Sequence, residues 1–124
     1  MAKLDVLTYG FALTTDQGSF GYSTNSLLRV GSHNILIDTG PSSRRPFLVK
    51  ALKAKGLETD DIDIVILTHM HWDHCQNTDL FTNARVLVNP TEIDYARNPN
   101  KWDLAVASGM ADMMRNMKVD TVSE

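Results

Sequence analysis

The sequence predicts an α/β (α+β) fold, a mixed β-sheet with flanking helices. Three observations carry this. Ile35-Leu36-Ile37 and Ile64-Val65-Ile66-Leu67 are continuously apolar, as in strands covered on both faces. Between them, Arg45 to Lys55 repeats its apolar residues at helical spacing. Gly and Pro fall singly between such segments, with no repeat or low-complexity tract.

The elements follow in order. Leu4, Val6 and Leu7 sit in a short β-prone segment. Phe11 to Gly21 is rich in Gly, Thr, Ser and Asp and reads as a loop or loose hairpin. Ser26 to Val30 and Asn34 to Asp38 are apolar runs separated by Gly31-Ser32-His33, which suits an antiparallel hairpin. The helix over Arg45 to Lys55 puts Phe47, Leu48, Ala51 and Leu52 on one face and Lys50, Lys53 and Lys55 outside, with Gly56 as its stop. Leu57 to Asp61 is an acidic turn before the second buried strand. Arg85 to Val88 is another short strand, and Thr91 is placed to cap a helix over Glu92 to Arg97. Asn98-Pro99-Asn100 breaks that helix. Trp102, Ala105, Val106, Met110, Met113, Met114 and Met117 then recur at helical spacing, which predicts a final amphipathic helix to about Lys118.

Composition bounds the function. The 124 residues fit one domain, taken as 1–124. Twelve Lys and Arg against fifteen Asp and Glu give a net charge of -3, which disfavours a nucleic-acid binder. Cys75 is the one cysteine, so no intrachain disulfide forms and a reducing, cytoplasmic setting is expected. Met1 to Gly10 lacks a signal-peptide pattern, and no run approaches the ~20 apolar residues of a membrane span.

The chemistry concentrates in His69-x-His71-x-Asp73-His74, which holds three of the four histidines. Neutral imidazole and carboxylate are good ligands for zinc and neighbouring transition metals. In an extended segment residues two apart point the same way, so His69 and His71 can converge on one ion. A turn after Trp72 would swing Asp73 and His74 toward a second. The segment follows a buried strand, where open sheets place their ligands.

Thr68-His69-Met70-His71-Trp72-Asp73-His74, followed by Cys75-Gln76-Asn77, resembles the signature of the metallo-β-lactamase superfamily. Ile35-Leu36-Ile37-Asp38-Thr39-Gly40 resembles the family's second strand ending in Asp-Thr-Gly, and Asp61 to Leu67 resembles the strand entering the ligand loop. The flavour is closer to lactonase and glyoxalase-II-like hydrolases than to antibiotic-degrading enzymes.

The resemblance implies a role for each matched position. His69 and His71 would bind a first metal, and Asp73 and His74 a second. Asp73 would also orient the attacking water and accept its proton. Asp38 would hold the loop or a ligand imidazole. The implied cofactor is zinc, two ions in the complete protein, with manganese, iron or cobalt open. The implied partner is a small-molecule substrate bearing a lactone, ester, thioester or amide carbonyl.

A complete member packs two such halves as an αββα sandwich, and its second half adds another His, a bridging Asp and a last His. No histidine follows His74 here, and Asp79, Asp94, Asp103, Asp112 and Asp120 show no ligand pattern. The chain therefore reads as the N-terminal half of such a sandwich. The alternative is a non-catalytic truncated domain that folds or forms a homodimer and binds metal weakly or not at all.

Overall fold

The computed structural model describes residues 1–107 and 109–122. Among the described residues, eight strands and four α-helices follow one another: β1 (Ala2–Thr8), β2 (Phe11–Thr15), β3 (Gly18–Tyr22), β4 (Asn25–Val30), β5 (His33–Ile37), α1 (Arg45–Ala54), β6 (Ile64–Ile66), α2 (Trp72–Cys75), β7 (Arg85–Val88), α3 (Pro90–Arg97), α4 (Met110–Met113) and β8 (Lys118–Thr121). Six of the strands form one mixed sheet in the order β1-β4-β5-β6-β7-β8. β1, β4 and β5 run antiparallel, and β5 to β8 run parallel. The α/β class read from the sequence is what the chain adopts.

Period-two alternation sorts the side chains of this sheet. Leu27, Leu36, Val65 and Val86 point to one face and are fully buried against Leu48 and Leu52 of α1. Met110 and Met114 close the far end of the same core. The opposite face carries Leu28, Ile35, Ile37, Ile64, Ile66 and Leu87, aligned across four strands and none of them fully buried. Toward the β1 edge this face continues into Leu4, 62% exposed. Strands expected to be covered on both faces are thus covered on one.

α1 matches its expected span. Pro46 sits in its first turn, where a missing N–H costs nothing, and Gly56 follows it at φ +76°, the left-handed stop. Phe47 departs from the expected buried face. It is 53% exposed and lies 4.1 Å under the Arg44 guanidinium, which also stacks on Tyr22. α3 begins two residues earlier than expected, because the Asn89 side chain accepts the Thr91 N–H and Pro90 fits the first helical position.

The expected final helix from Trp102 to Lys118 does not form as one element. Residues 98–107 are irregular, and Ser108 lies outside the described residues. Gly109 takes φ +77°, and only α4 and a 3-10 turn at Met114–Asn116 are helical. Trp102 is 78% exposed rather than core. Beyond the turn the chain extends as β8, which adds to the open edge of β7 and places Val119 opposite Val86. No helix among the described residues is long and apolar enough to cross a membrane.

Candidate metal centre

The site is built where β5 and β6 end. β5 stops at Asp38, which turns the chain with φ +56°, a left-handed conformation that only Gly, Asn and Asp adopt readily. Its own N–H donates to the Ile66 carbonyl, so the turn is anchored on β6. Its carboxylate, 4% exposed, accepts three bonds: from the Thr68 N–H (2.9 Å), the Thr68 hydroxyl (2.8 Å) and His74 Nδ1 (2.8 Å). Asp38 thereby holds both Thr68, which opens the histidine loop, and the His74 imidazole.

α2 is fixed from behind by Thr39 and Asn77. The Thr39 and Gly40 N–H groups both donate to the His74 carbonyl. Asn77 is fully buried, donates to the Thr39 and Pro41 carbonyls and accepts from Arg45 Nε. Gly40 is required beside it. Its φ is +75°, and a Cβ there would stand 3.1 Å from Asn25 Oδ1.

On this frame the four candidate ligands gather. His69 and His71 meet edge to face with ring centroids 4.8 Å apart, and His69 and His74 at 3.9 Å. His74 Nε2 lies 3.4 Å from Asp73 Oδ2. Two ligands on one tetrahedral zinc stand about 3.3 Å apart, so this pair is already spaced for a shared ion. Each imidazole also has one nitrogen engaged elsewhere: His69 Nδ1 with the Thr68 hydroxyl (3.1 Å), His71 Nε2 with Asp103 (3.2 Å) and His74 Nδ1 with Asp38 (2.8 Å). The nitrogens left over are His69 Nε2, His71 Nδ1 and His74 Nε2. The donor set therefore suits a transition metal in type and in spare lone pairs. Among the described residues, no three of its members yet close on a common point.

The electrostatics separate the imidazoles. Burial lowers the His69 pKa, and the neighbouring His74 and His71 add to the effect. Burial also opposes a proton on His74, but the Asp38 hydrogen bond and the charges of Asp38 and Asp73 outweigh it and raise the pKa. The Cys75 thiol is pushed up to about 12 by burial and by the same two carboxylates, and it donates to the His71 carbonyl. Cys75 is fully buried and packs in the core.

Three residues outside the motif reach the site. Glu92 accepts the Met70 N–H at 3.1 Å and so fixes the backbone between the two histidines. Asp103 accepts from His71, and Tyr95 donates its hydroxyl to Asp103 at 2.8 Å. The Tyr95 bond and those of the Ala105 N–H and His71 hold the Asp103 carboxyl below its ordinary range, against burial. Asp103 showed no ligand pattern in the sequence because its partner is 32 positions away. Asp79 and Asp120, by contrast, pair with Arg45 and Arg85.

The mouth of the site is apolar. Phe11, Leu13 and Phe20 of the β2–β3 hairpin line a cleft with Trp72, Asp73 and Ala105, and Trp102 and Leu104 line an adjoining hollow. All five of the hairpin and loop side chains are 48–90% exposed.

Residues 18–122 match the family model of the metallo-beta-lactamase superfamily. A probable metallo-hydrolase of Methanocaldococcus jannaschii is 37% identical over 82 residues, which are 64% of this chain and 39% of that protein. The chain thus spans well under half the length of such curated relatives. Among solved structures, Bacillus thuringiensis AiiA with N-decanoyl-L-homoserine bound superposes with a TM-score of 0.72 at 20% identity, covering 98% of this chain and 59% of that one. AidC, a dizinc quorum-quenching lactonase, gives 0.64 at 21% identity over 86% of this chain and 45% of its own. At these identities the structures show a shared fold. The match of the family model over most of the chain's length shows that this chain belongs to the metallo-beta-lactamase superfamily.

Proposed function

We propose that the chain carries the first half of the active site of a metal-dependent hydrolase that opens a lactone or cleaves an ester, thioester or amide. The observation that carries this reading is the state of the three imidazoles. Each has one nitrogen engaged by a side chain outside the ligand set and one left for a metal. His69 and His71 would hold a first ion, and Asp73 and His74 a second. Zinc is the favoured metal, by donor type and by the dizinc lactonase of the same fold. When bound, zinc lowers the pKa of a coordinated water and polarises a carbonyl.

This chain's own residues do the rest. Asp73, whose side chain is 27% exposed beside His74, would orient a water and accept its proton. Asp38 keeps His74 turned toward Asp73. The apolar cleft of Phe11, Leu13, Phe20 and Trp72 lies beside Asp73 and suits an acyl chain next to the scissile carbonyl. A lactone carrying an acyl group fits that shape, and the setting we assign is cytoplasmic.

The test is metal content by elemental analysis after dialysis against zinc, beside His71→Ala and His74→Ala, with turnover of an acyl lactone. Bound zinc that the variants lose supports the reading. Equal metal in all three proteins sinks it.

One observation favours a second reading. The half-covered apolar face of the sheet invites a partner, which could be a second copy in a non-catalytic homodimer. Sedimentation at rising concentration separates the two.

A further inference from the structure

The segment from 98 to 107 has no regular structure, yet it meets the ligand loop repeatedly. The Trp72 N–H donates to the Ala105 carbonyl at 2.8 Å, and His71 and Val106 form an isolated antiparallel bridge. At the centre lies Asp103, its side chain 11% exposed. Its Oδ2 accepts the Tyr95 hydroxyl at 2.8 Å and faces His71 Nε2 at 3.2 Å, while Oδ1 accepts the Ala105 N–H at 3.1 Å. No Lys or Arg pairs with it among the described residues. Asp5, Asp79 and Asp120 all have such partners. A carboxylate kept for a phenol, an imidazole and an amide is placed for hydrogen bonding rather than for charge pairing.

We propose that Asp103, clamped by Tyr95, is the positioning residue of His71, and that it makes the 98–107 segment part of the metal centre. The proposal rests on reading His69 to His74 as that centre. Nε2–H donation to Asp103 keeps the proton off Nδ1 and holds the ring with that lone pair free. Asp38, at the end of β5, does the same for His74. The two carboxylates come from unrelated segments, and each sets one half of the ligand cluster.

The experiment uses the whole chain. Zinc affinity is measured by competition with a chromophoric chelator, the cobalt absorption spectrum is recorded, and the metal-free melting temperature is taken. Asp103→Ala should weaken zinc binding about 10- to 100-fold and alter the cobalt spectrum. Asp103→Glu should recover part of the loss, and Tyr95→Phe should cost about two- to fivefold. Asp94→Ala, an exposed carboxylate on α3, should match the wild type. A merely structural Asp103 would lower the metal-free melting temperature and leave affinity and spectrum alone. Affinity within twofold of wild type in Asp103→Ala overturns the proposal. If Asp103→Ala does not fold, unchanged affinity in both Asp103→Asn and Tyr95→Phe overturns it equally. Should the wild type hold no more zinc than His71→Ala, the metal-centre reading itself falls, and this proposal with it.

Discussion

Asp38→Ala should be among the most damaging single changes outside the core. The side chain accepts three hydrogen bonds at 2.8–2.9 Å. Thr68 is exposed, so water can replace the two bonds it donates, and their net loss is about 1–2 kcal/mol together. The His74 bond is charge-assisted and half-buried, worth about 1.5 kcal/mol. Alanine at φ +56° adds about 1 kcal/mol that aspartate largely avoids by its local hydrogen bonding. The sum is about 4 kcal/mol. For a chain of this size each kcal/mol is worth about 3–5 °C, so the metal-free protein should melt about 12–20 °C lower. Asp38→Asn keeps the tolerance of positive φ and one acceptor, and should lose less than half as much. Circular dichroism melts of the three proteins decide the matter. A drop under about 4 °C for Asp38→Ala, or an asparagine variant worse than alanine, would refute the argument.

The two sheet faces should respond unequally to truncation. Leu36→Ala, in the fully buried layer, should cost about 3 kcal/mol in urea unfolding, and Ile64→Ala on the half-covered face about half of that. Equal losses would mean that both faces are packed alike. Cys75 should stay unreactive toward a thiol reagent at pH 8, since its pKa near 12 keeps it protonated, and labelling should follow global unfolding. Rapid labelling of the native protein would contradict its burial. Asp5 is held near 2, below its ordinary 3.8, by Lys55 and then Arg29. Its folded pKa is depressed, so its stabilisation is present above pH 4 and fades as the pH falls toward 2. Asp5→Asn should therefore lower the urea midpoint at pH 6, and the gap should close by pH 2. A gap independent of pH would assign the effect to packing.

What the sequence made legible was local. Ile35-Leu36-Ile37 and Ile64-Val65-Ile66 are strands because runs of mainly β-branched residues suit a pleated sheet, and Gly56 ends α1 because it accepts φ +76°. Asp38 was legible only through the motif around it. Its left-handed turn and its reach to Thr68 and His74 depend on β6 lying beside β5. The misread stretch was Trp102 to Lys118. Its apolar residues do recur at helical spacing, and Met110 and Met114 do enter the core.

Periodicity, however, counts only what one helix would gain by burying a face. Here longer-range bonds outbid that gain. Asp103 is drawn to His71 and Tyr95, and the Ala105 carbonyl to the Trp72 N–H, so the chain cannot coil through those positions. At the other end, the unpaired edge of β7 offers a full row of donors and acceptors. Lys118–Thr121 takes them, and the Val122 N–H adds one more bond to the Val88 carbonyl. The same bonds that defeated the helical reading create the Asp103 contact with the metal loop. A residue can be invisible to local pattern because its partner is distant, and here that distance is what brings the 98–107 segment to the histidines.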